Sequence, residues 1–226
     1  MRRLLMFCLA GIALLTIGAT PALAGNGKKA KKNYTYKITF TNLTTTQPLA
    51  PPVAAVHTKY AKIWQRGRVA SHAVVAVAED ANNQILVDAG SKLKGVKSIV
   101  SATDTAIGPD ETAMFEVVAK GKYNRLSLIS MLVKTNDAFT GVNSVRLNRG
   151  KTIRVFNKGA CDAGSEANNQ LSSHIPGVGN QFVHDAEGNV IRKHPGIQPG
   201  IGDIEIQDAA WIGPVAEITI ERLAKS

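Results

Sequence analysis

The clearest pattern in the chain is an alternation in which Tyr34, Tyr36, Ile38 and Phe40 are interleaved with Thr35, Lys37, Thr39 and Thr41. That period of two predicts a half-buried strand. Residues 42–52 (NLTTTQPLAPP) carry the Thr, Pro and Gln of a turn and loop, and 53–59 resume apolar, β-branched character. From Ala70 the period changes. Ala70, Ala73, Val74, Val77 and Ala78 fall at helical spacing, and residues 84–94 suit a second short helix. Too few strands alternate with these helices for a parallel fold, so they are expected over one end of a sheet.

The strand pattern then returns. Residues 96–102 lead through Ile107-Gly108-Pro109 to an alternation of Ala113, Phe115, Val117 and Ala119 against Met114, Glu116 and Val118. In 125–135 (RLSLISMLVKT) both alternating sets are apolar, with Leu126, Leu128 and Leu132 on one side and Ile129, Met131 and Val133 on the other. A strand apolar on both faces is predicted to be central and covered on both sides. Residues 141–149 read as a connection and 151–156 as a further short strand. Residues 165–207 form a long irregular region rich in Gly, Pro, Asn and His, within which 182–192 suit a small hairpin turning at Glu187-Gly188-Asn189. The last strand alternates Ala216, Ile218 and Ile220 with Glu217, Thr219 and Glu221, and pairing it with 34–40 would tie the domain's two ends together. The sum predicts an all-β antiparallel sandwich with one or two short helices and a long irregular C-terminal loop region.

The N-terminus modifies this picture. Met1-Arg2-Arg3, the apolar run from Leu4 to Gly18, and Ala22-Leu23-Ala24 have the form of a secretory leader with a small-x-small cleavage site. The expected division is a signal peptide at 1–24, a basic tail at 25–33 and one sandwich domain at 34–226. Export, to the periplasm or beyond the cell, disfavours nucleic acid as a partner. The net charge is +10, of which Arg2 and Arg3 contribute two and Lys28, Lys29, Lys31 and Lys32 form a solvated run. Such a surface attracts anionic envelope or matrix polymers non-specifically, so the expected partner is one of these or a protein. With Cys8 in the leader, Cys161 is left without a disulfide partner, and it reads as a small buried side chain because no His stands near it in sequence.

Three acids carry the candidate chemistry. Asp137 follows the doubly apolar strand, and Asp162 and Glu166 stand in Asp162-Ala163-Gly164-Ser165-Glu166 after the next. Delivered to one end of a sandwich, three carboxylates could hold a hard cation such as Ca2+, which takes about 6–8 oxygen ligands with loose geometry. The alternative is that Asp137 and Asp162 cap turns through side-chain hydrogen bonds while Glu166 is solvated. Asp185-Ala186-Glu187-Gly188-Asn189 is no EF-hand, because its Gly comes too early and the terminal Glu is missing. An enzyme reading would draw a zinc site for hydrolysis from His174, His184 and His194. Their regular spacing matches no compact ligand motif, and surface histidines explain them more simply. No GxSxG elbow or phosphate-cradling Gly loop is present.

Several segments taken together, in order, resemble the spondin N-terminal domain family, of the F-spondin and mindin type, which also occurs as stand-alone exported proteins in bacteria. They are 36–52, 70–80 around Ala78-Glu79-Asp80, Ile107-Gly108-Pro109, 125–141, 162–166 and 214–222. The resemblance implies a C2-like antiparallel β-sandwich that binds one calcium ion at a loop end, and the expected function is a non-catalytic adhesion or cell-envelope/matrix binding module. It places the metal ligands on an acid just after the Ser-Met-Leu strand and on two acids four apart, which are Asp137, Asp162 and Glu166 here. Glu166 stands where the animal relatives carry Asp, and Cys161 where an aromatic residue is usual.

Overall fold

In the computed structural model, residues 32–147, 153–176, 178–179 and 183–224 are described. The expected leader at 1–24 lies outside them, as does the basic tail apart from Lys32 and Asn33. Among the described residues, ten strands form two sheets, and every pairing within them is antiparallel. One sheet contains β1 (Asn33–Asn42), β4 (Thr112–Lys120), β7 (Ile153–Lys158) and β10 (Ala216–Arg222), in the order β4-β1-β10-β7. The other contains β2 (Val53–His57), β3 (Val96–Ser101), β5 (Arg125–Met131), β6 (Ala138–Arg146), β8 (Cys161–Asp162) and β9 (Arg192–Lys193), in the order β3-β2-β5-β6-β8-β9. The predicted pairing of the two ends is present, with Tyr36 opposite Arg222 and Asn42 opposite Ala216.

The two sheets enclose the first core. Tyr36, Ile38 and Phe40 of β1 and Ile218 and Ile220 of β10 meet Ala54, Val56, Leu126, Leu128 and Val142 from the facing sheet. A second core lies on the outer face of the six-stranded sheet, where Val53, Ala55, Ile129 and Phe139 pack against Val74, Val77 and Leu86 of α1 (His72–Asp80) and α2 (Asn83–Lys92). Trp64 joins it with its ring edge-on to Phe139 at 5.1 Å. The helices therefore cover a sheet face rather than one end of a sheet. The physical reason is visible in β2 and β5, whose residues are buried on both faces almost throughout. Each large apolar side chain on the second face gains about 1.5–3 kcal/mol by being covered.

Helix α1 begins where the Ser71 hydroxyl accepts the Val74 N–H, and it ends at Ala81, which takes a left-handed conformation at φ 54°. The segment predicted as a connection at 141–149 is instead mostly strand β6, hydrogen-bonded to β5. Its Gly, Asn and Ser content imitates a turn, but Gly141 is there for close approach. A Cβ on it would lie 1.9 Å from the Leu128 carbonyl oxygen, and its φ is 153°. The predicted hairpin over 182–192 is also corrected. Residues 185–189 pair back onto the acidic segment, with Ala167 N donating to Asp185 O, Glu187 N to Ser165 O and Asn189 N to Gly164 O. The other described residues of 165–207 are irregular as expected, apart from a 3-10 turn (Ser172–His174), β9 and the short α3 (Ile206–Ala209).

Candidate functional site

Strand β5 ends at Met131 and β6 begins at Ala138, so Asp137 stands at the exit of a tight hairpin. The Thr135 hydroxyl closes that hairpin, donating to Leu132 O at 2.7 Å and accepting from Ala138 N at 3.1 Å. Strand β8 then pairs with β6 so that Asp162 lies opposite Ala138. Register alone therefore sets the second acid beside the first.

The two aspartates organise the loop that follows. Asp137 Oδ2 accepts the Ser165 N–H at 2.9 Å and the Glu166 N–H at 3.1 Å. Asp162 Oδ1 accepts the Gly164 N–H at 2.6 Å, while its Oδ2 accepts Asn168 Nδ2 at 2.7 Å and meets Arg192 at 3.0 Å. Gly164, at φ 73°, permits this turn, because a Cβ there would lie 2.7 Å from the Asn189 carbonyl carbon. All three predicted acids are buried, at 0 %, 0 % and 1 % exposure for Asp137, Asp162 and Glu166. Turn capping thus accounts for part of the aspartates' role, but Glu166 is not solvated.

Glu166 faces a different group. Its Oε1 lies 2.7 Å from His184 Nδ1, and Glu79 Oε2 lies 3.3 Å from the same nitrogen. Among the described residues, Glu79, Glu166 and His184 are the set of three whose ligand atoms all lie within 4.8 Å of one another, whereas Asp137, Asp162 and Glu166 do not form such a set. Glu166 is thus the residue shared between the predicted trio and a cluster that sequence reasoning missed. A signal for Glu79 existed, since it is an acid in the last turn of α1, where the helix dipole disfavours negative charge. Arg192 was also missed, and nothing in its sequence neighbourhood marks it. The cluster opens onto a cleft of about 440 Å³ whose rim includes the exposed His72.

The electrostatics of the site are dominated by buried negative charge. Burial, with Asp162 nearby, pushes the Asp137 carboxyl up to about 6 against its three hydrogen bonds from Ser165 and Glu166. Burial and the neighbouring Glu79 push Glu166 up to about 7, opposed by His184. Burial also raises Asp162, opposed by Asn168 and Arg192. Three oxygens complete the picture. Asp137 Oδ1, Glu166 Oε2 and Asn168 Oδ1 are buried with no hydrogen-bond donor. Buried acceptors normally find a donor, so three orphans at one loop end are unusual.

The other candidates are not brought into this site. His194 is buried against Trp211, accepts the Gly196 N–H and is pushed down to about 4 by burial, which makes it a neutral core side chain. His174 Nδ1 meets Asn169 Nδ2 at 3.2 Å. Neither joins His184 in a ligand cluster among the described residues. Cys161 is buried, and burial raises its thiol despite hydrogen bonds from the Arg66 guanidinium, so it is held as a thiol rather than a thiolate.

An antiparallel β-sandwich with a second core under two short helices and buried acids on its rim loops defines a class of scaffold domain whose chemistry sits in its loops. The family model described as Spondin_N matches residues 30–184, and the chain belongs to that family. The domain is typical of extracellular proteins, and the family is not a known enzyme family. Strand β10, central to its sheet, lies beyond the matched span, while all three predicted acids and Glu79 lie inside it. No curated protein matches the chain. Among the described residues, no helix is long and apolar enough to cross a membrane.

Proposed function

We propose that this protein is an exported, non-catalytic calcium-binding module that adheres to an envelope or matrix partner, with the ion serving as part of the scaffold. The observation that carries this reading is the pair of buried carboxylate oxygens without donors, Asp137 Oδ1 and Glu166 Oε2. A hard divalent cation satisfies such oxygens and offsets the burial and neighbouring negative charge that raise both carboxyls. Asn168 Oδ1 adds a neutral oxygen, because its amide nitrogen is committed to Asp162. Asp162 would complete the set, with Arg192 yielding part of its contact. Bound calcium would supply charge neutralisation and cross-link the 135–138 hairpin to the 162–168 loop.

The test is the metal content of the purified protein and its melting with calcium and with EDTA. Calcium is expected to raise the melting temperature and EDTA to lower it. An unchanged midpoint would remove the basis of the proposal. The Glu79, Glu166 and His184 cluster supports a second reading, in which a borderline ion such as zinc is preferred because one ligand is an imidazole. Zinc stabilising the protein more than calcium, with the difference lost in His184→Ala, would favour that reading.

A further inference from the structure

Strand β5 joins two unlike ends. Its C-terminal end leads to the buried acids, and its N-terminal end, at Arg125, opens into a cleft of about 710 Å³ that carries the opposite charge. Lys59, Lys94, Lys122, Arg125 and Arg146 line this cleft, and no acid does. None of the five belongs to an ion pair among the described residues. The concentration is built by strand register. Arg125 pairs directly with Arg146 across β5 and β6, and with His57 across β5 and β2. Like charges placed directly opposite on adjacent strands destabilise a sheet. His57 does not relieve this, being buried and held below its usual value by burial and by the charges of Lys62 and Arg125. Arg125 Nε is moreover buried with no acceptor.

From this geometry we infer that the cleft binds an acidic oligosaccharide, a sugar chain bearing carboxylate, sulfate or phosphate groups. The inference rests on the proposed role as a binding module and names its ligand class and place. Five cations without an acid require a ligand carrying more than one negative group, since a single anion would leave most of the repulsion in place. Two aromatic rings specify more than charge. Tyr60 is 79 % exposed and Tyr123 lines the same cleft, with Lys59 4.9 Å from the Tyr60 ring centre and Lys122 5.5 Å from that of Tyr123. In each pair the ammonium group lies over a ring face, so positive charge and apolar surface are held together. That combination suits a pyranose ring, which has an apolar face to stack and an acidic substituent at its edge. Thr58 and Asn124 add neutral hydrogen-bonding groups for hydroxyls.

The decisive measurement is calorimetric titration of the mature protein in EDTA with a galacturonate tetramer, its methyl ester and inorganic phosphate. The acidic tetramer is expected to bind, the ester to bind at least tenfold more weakly, and the affinity to fall steeply with salt. Lys122→Gln with Arg146→Gln should weaken binding about tenfold or more, and Tyr60→Ala severalfold, with no loss of melting temperature, because these side chains are exposed and removing Arg146 relieves its repulsion with Arg125. Asp137→Asn should leave binding intact while removing the calcium response. The failure of one site is thereby distinguished from the failure of the other. Equal binding of the ester, binding of phosphate in place of the tetramer, indifference to Tyr60→Ala, or no binding at all would each overturn the assignment.

Discussion

Asp137→Asn separates a metal ligand from a turn cap. In calcium-free buffer at pH 8 the wild-type carboxylate is ionised although its pKa in the fold lies at about 6, against an ordinary value of 3.8. That difference corresponds to roughly 3 kcal/mol lost by the native state. Asparagine is nearly isosteric, and its carbonyl can accept the Ser165 and Glu166 N–H groups that Asp137 Oδ2 now accepts. Its amide nitrogen, however, must take the buried place of Oδ1, which has no partner, at a cost of about 1 kcal/mol. The variant should therefore be more stable than wild type in EDTA by about 2 kcal/mol, or on the order of 4–8 °C for a domain of this size. Saturating calcium reverses the order. At a concentration ~1,000 times the dissociation constant the wild type gains about 4 kcal/mol, and the variant, lacking the Asp137 oxygen, gains little. Thermal melts of both proteins in EDTA and in calcium would show the crossing. If Asp137 only caps the loop, calcium will leave the order of the two proteins unchanged, and that result would refute the reasoning.

Four further outcomes follow from the structure. Asp137 and Glu166 bind protons more tightly in the fold than in the unfolded chain, at about 6 and about 7, so stability in EDTA should fall as pH rises from roughly 4 to 7. Calcium affinity, measured by titration, should weaken over the same interval as pH is lowered and its ligands protonate. Arg192→Gln removes the cation paired with Asp162, so it should lower the melting temperature in EDTA and enlarge the rise produced by calcium. Gly141→Ala drives a Cβ into the Leu128 carbonyl and should cost at least about 3 kcal/mol, read as a lower denaturation midpoint or loss of soluble protein.

Much of the sandwich was legible in the chain because burial on one face writes a period of two. Strands β1, β4 and β10 show it, and the doubly apolar β5 correctly announced a centre covered on both sides. Strand β6 was illegible because Gly141, Asn143 and Ser144 serve a close backbone approach and a locally irregular register, a need that exists only once β5 lies beside it. The same division runs through the site. The sequence by itself placed Asp137 just beyond the doubly apolar β5 and named Asp162 and Glu166 as the acids to be tested with it. Tertiary structure alone decided their surroundings. It turned Glu166 toward Glu79 and His184, set Arg192 on Asp162, and buried Asp137 Oδ1 without a donor. It likewise gathered Lys59, Lys94, Lys122, Arg125 and Arg146 from four separate segments into one cleft. Periodicity reports which face of an element is buried, whereas charge balance and hydrogen-bond satisfaction depend on which distant segments arrive beside it.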